Sequence, residues 1–214
     1  DNNYKLLFDS VLSNHFIYKE NINALYVNYN KTYKTISVQL GLRMENTITK
    51  GNSSGFVKDN NVFKDYHEIF TRKLVDFFPS GAVTFTKNSK SQWTLSYSQR
   101  INRPSYQNLN PFENRSSEYG GFKGNPNLRP EYANSFSLIN VFRNKLVTNL
   151  SFTHTKDLIV SISDTLGGTK SFYSPKNIAK QDNISLSINY SFSKAWYSLT
   201  VSTTGYYAHN LADF

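Results

Sequence analysis

The sequence predicts an all-β chain of about eight antiparallel strands, on three observations. Apolar residues recur at every second position: Ile36, Val38, Leu40, Leu42 and Met44 alternate with Ser37, Gln39, Gly41 and Arg43. A period of two marks a strand with one apolar and one wet face. The wet positions are mostly Ser, Thr, Asn and Gln and are rarely charged. Short and long connections alternate strictly along the chain. Together these describe strands with lipid or a core on one side and a polar lumen on the other. That is the pattern of a segment of an antiparallel transmembrane β-barrel.

Strands are expected over 16–29, 35–45, 79–87, 92–100, 133–142, 146–156, 178–192 and 195–207. In the first, both registers carry apolar residues (Ile22, Ala24 and Tyr26 against Leu25, Val27 and Tyr29), so no facing is assigned. Asn30 to Lys34 is a short turn. The second strand points Ile36, Val38, Leu40, Leu42 and Met44 at lipid and Gln39 and Arg43 at the lumen. Residues 46–78 read as a long polar loop centred on Gly51-Asn52-Ser53-Ser54-Gly55. The strand at 79–87 also has no assigned facing, and Lys87 to Ser91 is short. In 92–100, Trp93, Leu95 and Tyr97 face lipid while Thr94 and Ser96 face the lumen. A long connection, 101–132, precedes the strand at 133–142, and Arg143-Asn144-Lys145 is short. In 146–156, Leu150 and Phe152 face lipid, with Asn149 and Ser151 on the lumen. After a long loop at 157–177, Leu186 and Ile188 face lipid and Ser187 and Asn189 the lumen. Ser193-Lys194 is short, and the chain ends in what reads as the start of another long loop at Ala212-Asp213-Phe214. Outer-membrane barrels have short periplasmic turns and longer extracellular loops, so the three long connections would lie outside the cell. A soluble antiparallel domain with one solvated face would alternate in the same way, and a soluble carbohydrate-binding module stays open.

Composition fits a barrel. The 214 residues include 15 Tyr and 16 Phe, yet mean hydropathy is negative, as expected when only alternate residues are apolar. No run of 18 apolar residues marks a membrane helix. Asp1-Asn2-Asn3-Tyr4 has no charged n-region or apolar h-region, so a leader was removed or the chain begins inside a longer protein. Cysteine is absent, which excludes disulfides and thiolate chemistry. Net charge is +9, but the basic residues are spread along the chain, which argues against a nucleic-acid partner. His15, His67, His154 and His209 lack metal-ligand spacing. There is no G-x-S-x-G elbow, and Gly120-Gly121-Phe122-Lys123-Gly124 lacks the ending and helix of a phosphate loop. No catalytic residue, metal or cofactor is expected, and the protein is not read as an enzyme.

The connection at 101–132 carries Arg100-Ile101-Asn102-Arg103-Pro104-Ser105-Tyr106-Gln107-Asn108-Leu109-Asn110-Pro111-Phe112, then Gly124-Asn125-Pro126-Asn127-Leu128-Arg129-Pro130-Glu131. These paired strings resemble the barrel of TonB-dependent receptors, in particular the outer-membrane β-barrel family common in Bacteroidetes. Phe16 to Tyr26 and Gly41 to Glu45 also resemble it, so the likeness covers roughly residues 14–192. It implies an interior part of a barrel of about 22 strands in a Gram-negative outer membrane. All 214 residues would belong to that one domain, with the plug and remaining strands outside this chain. It further implies uptake of a scarce nutrient such as a siderophore, glycan or peptide, driven by TonB through the plug, possible help from a surface lipoprotein, and no covalent chemistry. A non-transporting scaffold or assembly barrel is the alternative.

The prolines of the motif fix φ and remove ladder donors, so the chain leaves the strand there. Asn108, Asn110, Asn125 and Asn127 would cap turns, and Arg100, Arg103 and Glu131 would pair at the loop base. Arg103, Tyr106, Asn108, Asn110, Phe112, Tyr119 and Asn125 are the candidate ligand-facing residues of this loop. Its rings, with Phe122, Tyr132, Phe172 and Tyr173, are expected to serve the fold and the interfacial girdle before any ligand.

Overall fold

The computed structural model describes residues 13–59, 62–88, 90–117, 119–166 and 170–212. Among these, ten strands form one sheet, curled into a half-barrel. The long strands run as an antiparallel meander: β1 (Asn14–Thr32), β2 (Ile36–Asp59), β3 (Val62–Asn88), β4 (Ser91–Asn102), β7 (Glu131–Phe142), β8 (Leu146–Leu166), β9 (Lys170–Lys194) and β10 (Tyr197–Ala212). Between β4 and β7 lie a one-turn helix, α1 (Tyr106–Leu109), and a small hairpin, β5 (Glu113–Ser117) with β6 (Gly120–Lys123).

Two expected loops are strand instead. Residues 46–59 and 62–78 continue the β2–β3 ladder unbroken from Ile36↔Phe85 to Asp59↔Val62, and residues 60 and 61 of the expected loop lie outside the described residues. Residues 157–166 and 170–177 extend β8 and β9 to Leu166↔Lys170, and residues 167–169 lie outside the described residues. Residues 46–59 of β2 carry no apolar stripe, and hydrogen bonding to β3, whose outward apolar residues reach Val75, holds them as strand. Gly51, expected at the centre of the long loop, sits under the ring of Phe70, where a Cβ would approach Cε1 to 2.2 Å. At the far end, β10 stays paired with β9 through Ala212↔Ala179, so the expected loop does not begin there. Asp213 and Phe214 lie outside the described residues, as does Ser89 of the β3–β4 turn. The β7–β8 turn is tight because Arg143 and Asn144 both adopt positive φ (51° and 53°). The Lys145 amide closes the turn by donating to the Phe142 carbonyl at 3.0 Å.

The registers fix which residues share a face. Met44 pairs with Leu25 and Phe77, and Leu40 with Tyr29 and Gly81. The odd residues of β1 and β3 therefore share one face with the even residues of β2, which settles the two strands the sequence left open. That face carries Ile36, Val38, Leu40, Leu42, Met44, Trp93, Leu95, Tyr97, Leu150, Phe152, Leu186 and Ile188, and Leu40 is 52% exposed. The other face carries Gln39, Arg43, Thr94, Ser96, Asn149, Ser151, Ser187 and Asn189 and is laced by hydroxyl and amide contacts. Thr84 Oγ1 lies 3.0 Å from Thr94 Oγ1, Ser137 Oγ donates to Asn149 Oδ1 at 2.9 Å, and Ser151 Oγ lies 2.7 Å from Ser185 Oγ. Residues 103–130 fold against this second face and bury Glu45, Thr47 and Ser53 beneath them. The loop touches β1 and β2 at one side of the sheet and β8 and β9 at the other, which makes this the inside of the curl.

Candidate functional site

The loop is held at four places. At its start, Arg103 turns inward. Its Nη2 donates to Glu45 Oε2 at 2.5 Å and to Thr47 Oγ1 at 3.0 Å, and its Nε lies 3.9 Å from Glu20. Arg43 reaches the other Glu45 oxygen at 3.2 Å and lies over the Phe78 ring at 4.6 Å. Glu45 is 5% exposed, so two guanidinium groups offset the desolvation of one buried carboxylate. This corrects the pairing expected at the loop base. Glu131 does not receive Arg103; it accepts from Asn102 Nδ2 at 2.7 Å and from the Ile159 amide at 2.7 Å.

The second place is α1. The Ser105 hydroxyl accepts from the Asn108 amide at 3.3 Å, an N-cap on a single turn. Leu109 is buried, and Asn110 joins a network with β1, β2 and β3. Asn110 Nδ2 donates to Asn14 Oδ1 at 2.8 Å, Ser53 Oγ donates to Asn110 Oδ1 at 3.1 Å, and Asn14 Nδ2 donates to the Tyr66 hydroxyl at 2.7 Å. Nearby, burial and then the Glu20 carboxylate push the Tyr18 hydroxyl above its usual pKa, so it remains a neutral donor to Glu20 at 3.2 Å.

The third place is the hairpin. Strand β6 pairs in parallel with β9 over Gly120↔Ser171 to Phe122↔Tyr173. Gly120 permits the close approach to β9, where a Cβ would meet the Ser171 carbonyl oxygen at 2.6 Å, and Gly121 the approach to β5, where one would meet the Asn114 carbonyl oxygen at 2.2 Å.

The fourth is the second motif string. The Asn125 amide donates to the Asn108 carbonyl at 2.6 Å, its Nδ2 to the Pro175 carbonyl at 3.1 Å, and its Oδ1 accepts from the Asn127 amide at 2.9 Å. Leu128 is wholly buried and its carbonyl accepts from Arg72. Arg129 pairs with Asp157 at 2.6 Å. Asp157 sits at φ 56° in an irregularity of β8, and Asn177 Nδ2 donates to its carbonyl at 2.6 Å.

Of the candidate residues, Arg103, Asn110 and Asn125 thus spend their polar groups holding the loop. Tyr106 (56%) and Tyr119 (64%) are exposed. Asn108 and Phe112 join Gln107, Asn110, Asn114 and Phe122 around an open cleft of about 570 Å³ between the loop and β1. Of the other rings, Phe172 is buried and Tyr173 exposed, while the Tyr132 hydroxyl donates to Asp76 at 2.8 Å. Sequence reasoning missed the partners Glu45, Ser53, Arg72, Asp157 and Asn177. Glu45 alone gave a signal, as a carboxylate two positions from Arg43 on an otherwise neutral wet face. Among the described residues no group of three or more His, Asp or Glu could hold a metal ion. Amides with two rings suit hydrogen bonding and stacking with a neutral or aromatic solute.

The model of the outer membrane protein beta-barrel family matches residues 1–213. The chain belongs to this family. It is therefore an outer-membrane protein of a Gram-negative bacterium, with the fold of transporters and receptors and not of an enzyme. Among solved structures, the barrel is similar to the siderophore receptor PirA from Pseudomonas aeruginosa, with a TM-score of 0.54 and 15% identity. That match covers 92% of this chain and 44% of PirA. The ferric enterobactin receptor PfeA from the same organism, in complex with enterobactin, gives a TM-score of 0.49 and 12% identity over 87% of this chain and 36% of its own. The FrpB iron transporter from Neisseria meningitidis gives 0.47 and 10% over 89% and 36%. The chain thus spans less than half of each of these structures. No curated protein matches it by sequence.

Proposed function

We propose that the chain is wall and extracellular loop of a TonB-dependent receptor that imports a scarce solute, a siderophore, glycan or peptide. The plug and the remaining strands lie outside residues 1–214, all of which form part of one barrel domain. The observation that carries this reading is the loop of residues 103–130, folded across the inside of an outer-membrane half-barrel and leaving an amide- and ring-lined cleft beside it. The inner face is the polar lumen wall and the outer face meets lipid. On β3 the outward apolar residues run from Phe85 to Val75, about 33 Å along the strand. At a tilt near 40° that gives a band of about 25 Å, the height such barrels present to the membrane. Membership in an outer-membrane family sets aside the soluble carbohydrate-binding reading. A surface lipoprotein would cap the extracellular end and hand over the solute.

The test is uptake by cells carrying the intact or the deleted gene, with labelled iron–siderophore, oligosaccharide and peptide, before and after a protonophore. Loss of uptake of one class on deletion and on collapse of the proton gradient is expected. Unchanged uptake of all three would leave the scaffold reading in its place.

A further inference from the structure

The strands β1–β3 sort their charges by face. Glu20, Glu45 and Asp76 all belong to the inner face, while the outer face just above the apolar band carries Lys19, Lys50 and Lys73. Lys19 and Lys50 are direct cross-strand partners, and Lys73 pairs with Ile48, one outward position below Lys50. Like charges directly opposite one another destabilise a sheet unless something neutralises them. All three are exposed, and no acidic residue of β1–β3 shares this stretch of the face; the first outward acid on β3 is Asp65. At the same height on β8 and β9 the pattern differs, because His154 is already answered by Asp182 at 2.6 Å.

Lys73 is the next outward residue after Val75, about 5 Å above the band for a strand tilted near 40°, and Lys19 and Lys50 lie about 10 Å above it. The headgroup layer extends roughly 5–8 Å beyond the hydrocarbon, and lysines reach down along apolar surface to it. We infer that Lys19, Lys50 and Lys73 form a docking patch for a phosphate-bearing lipid headgroup of the outer leaflet. The inference rests on the outward facing proposed above. Charge complementarity and continuity with the apolar band carry it: three unanswered cations stand where the membrane presents phosphates, and each such lysine strengthens binding about fivefold.

The test uses the full-length receptor in nanodiscs and measures retention of diphosphorylated lipid A against its monophosphoryl form by native mass spectrometry. The triple variant Lys19→Gln, Lys50→Gln, Lys73→Gln should lose about a hundredfold in affinity for the diphosphorylated lipid and a smaller factor for the monophosphoryl one, which offers one phosphate fewer. A control triple at the turn end, Lys31→Gln, Lys34→Gln, Lys90→Gln, should match the parent. Equal affinity of parent and patch variant, or equal losses in both triples, overturns the inference. A heat-modifiable gel band confirms that each variant folds. Separately, a nitroxide on Leu42→Cys reports its surroundings. A label shielded from lipid overturns the facing itself, whereas a lipid-exposed label with no phosphate preference overturns the lipid patch alone.

Discussion

Replacing Arg103 by alanine removes three interactions at once: the 2.5 Å bond to Glu45, the 3.0 Å bond to Thr47 and the 3.9 Å pairing with Glu20. Breaking a buried pair by deleting one partner costs about 3–5 kcal/mol, because the remaining charge is left desolvated. Here Arg43 stays 3.2 Å from the other Glu45 oxygen, so the cost should lie near the lower limit, about 3 kcal/mol. The double variant Arg103→Ala with Glu45→Gln leaves no orphaned carboxylate and should recover most of that loss. The assay is equilibrium unfolding of the full receptor from vesicles in urea, with proteolysis of the loop as a local readout. Arg103→Ala should also admit protease to residues 113–123 earlier than in the parent. A single variant within about 0.5 kcal/mol of the parent, or a double whose losses simply add, would refute the claim that this ion cluster anchors the loop.

Leu40 lies midway along the outer apolar run and Gln39 on the inner face. Leu40→Arg should therefore cost about 2–4 kcal/mol in membrane folding and Gln39→Arg almost nothing, and equal costs would reverse the assigned faces. Gly124→Ala places a Cβ 2.3 Å from the Asn110 carbonyl oxygen and within 2.9 Å of two more. It should shift the loop and raise its hydrogen-exchange rate while the strand ladders stay protected. Asn177→Ala removes donors to the Asp157 and Arg129 carbonyls and the acceptor for the Arg129 amide. About 2 kcal/mol is expected in unfolding, and less than 0.5 would show the irregularity of β8 to be self-supporting. Phe112→Ala and Phe122→Ala remove the two rings of the cleft and should weaken solute binding if the cleft takes the cargo, whereas the exposed Tyr106→Ala and Tyr119→Ala should leave both stability and that binding unchanged.

The part of the wall proposed to cross the membrane was legible in the sequence because, on that reading, only there does one face meet an apolar medium. The stripe from Ile36 to Met44 exists for that reason. Above it, the outer face of β2 is mostly polar and exposed and the inner face lies buried under the polar loop, so Asn46 to Lys58 carries no apolar period. Gly51 and Gly55 then read as part of a long loop, although Gly51 is small because Phe70 lies on it. The loop strings were legible as loop through their prolines, and Asn110 and Asn125 cap turns as their type predicts. Their partners were not, since Arg103 reaches Glu45 across 58 positions and Asn110 reaches Asn14 across 96. Such pairs follow only from strand order and curl. Glu131 shows the limit: proximity in sequence suggested Arg103, and the fold gave it the Ile159 amide instead.

The loop between β4 and β7 is tied at one end to Glu45 of β2 and, through β6, to the edge of β9. It works as a bowstring across an arc. Flattening the wall must stretch these ties, with those of Asn110, Asn125 and Arg129 between and beyond them, so this stretch of wall has its radius set by a chord as well as by strand stagger. On the import function proposed above, a solute passing inward would go under that chord. Slackening it would widen the passage without moving a single strand of the wall out of register.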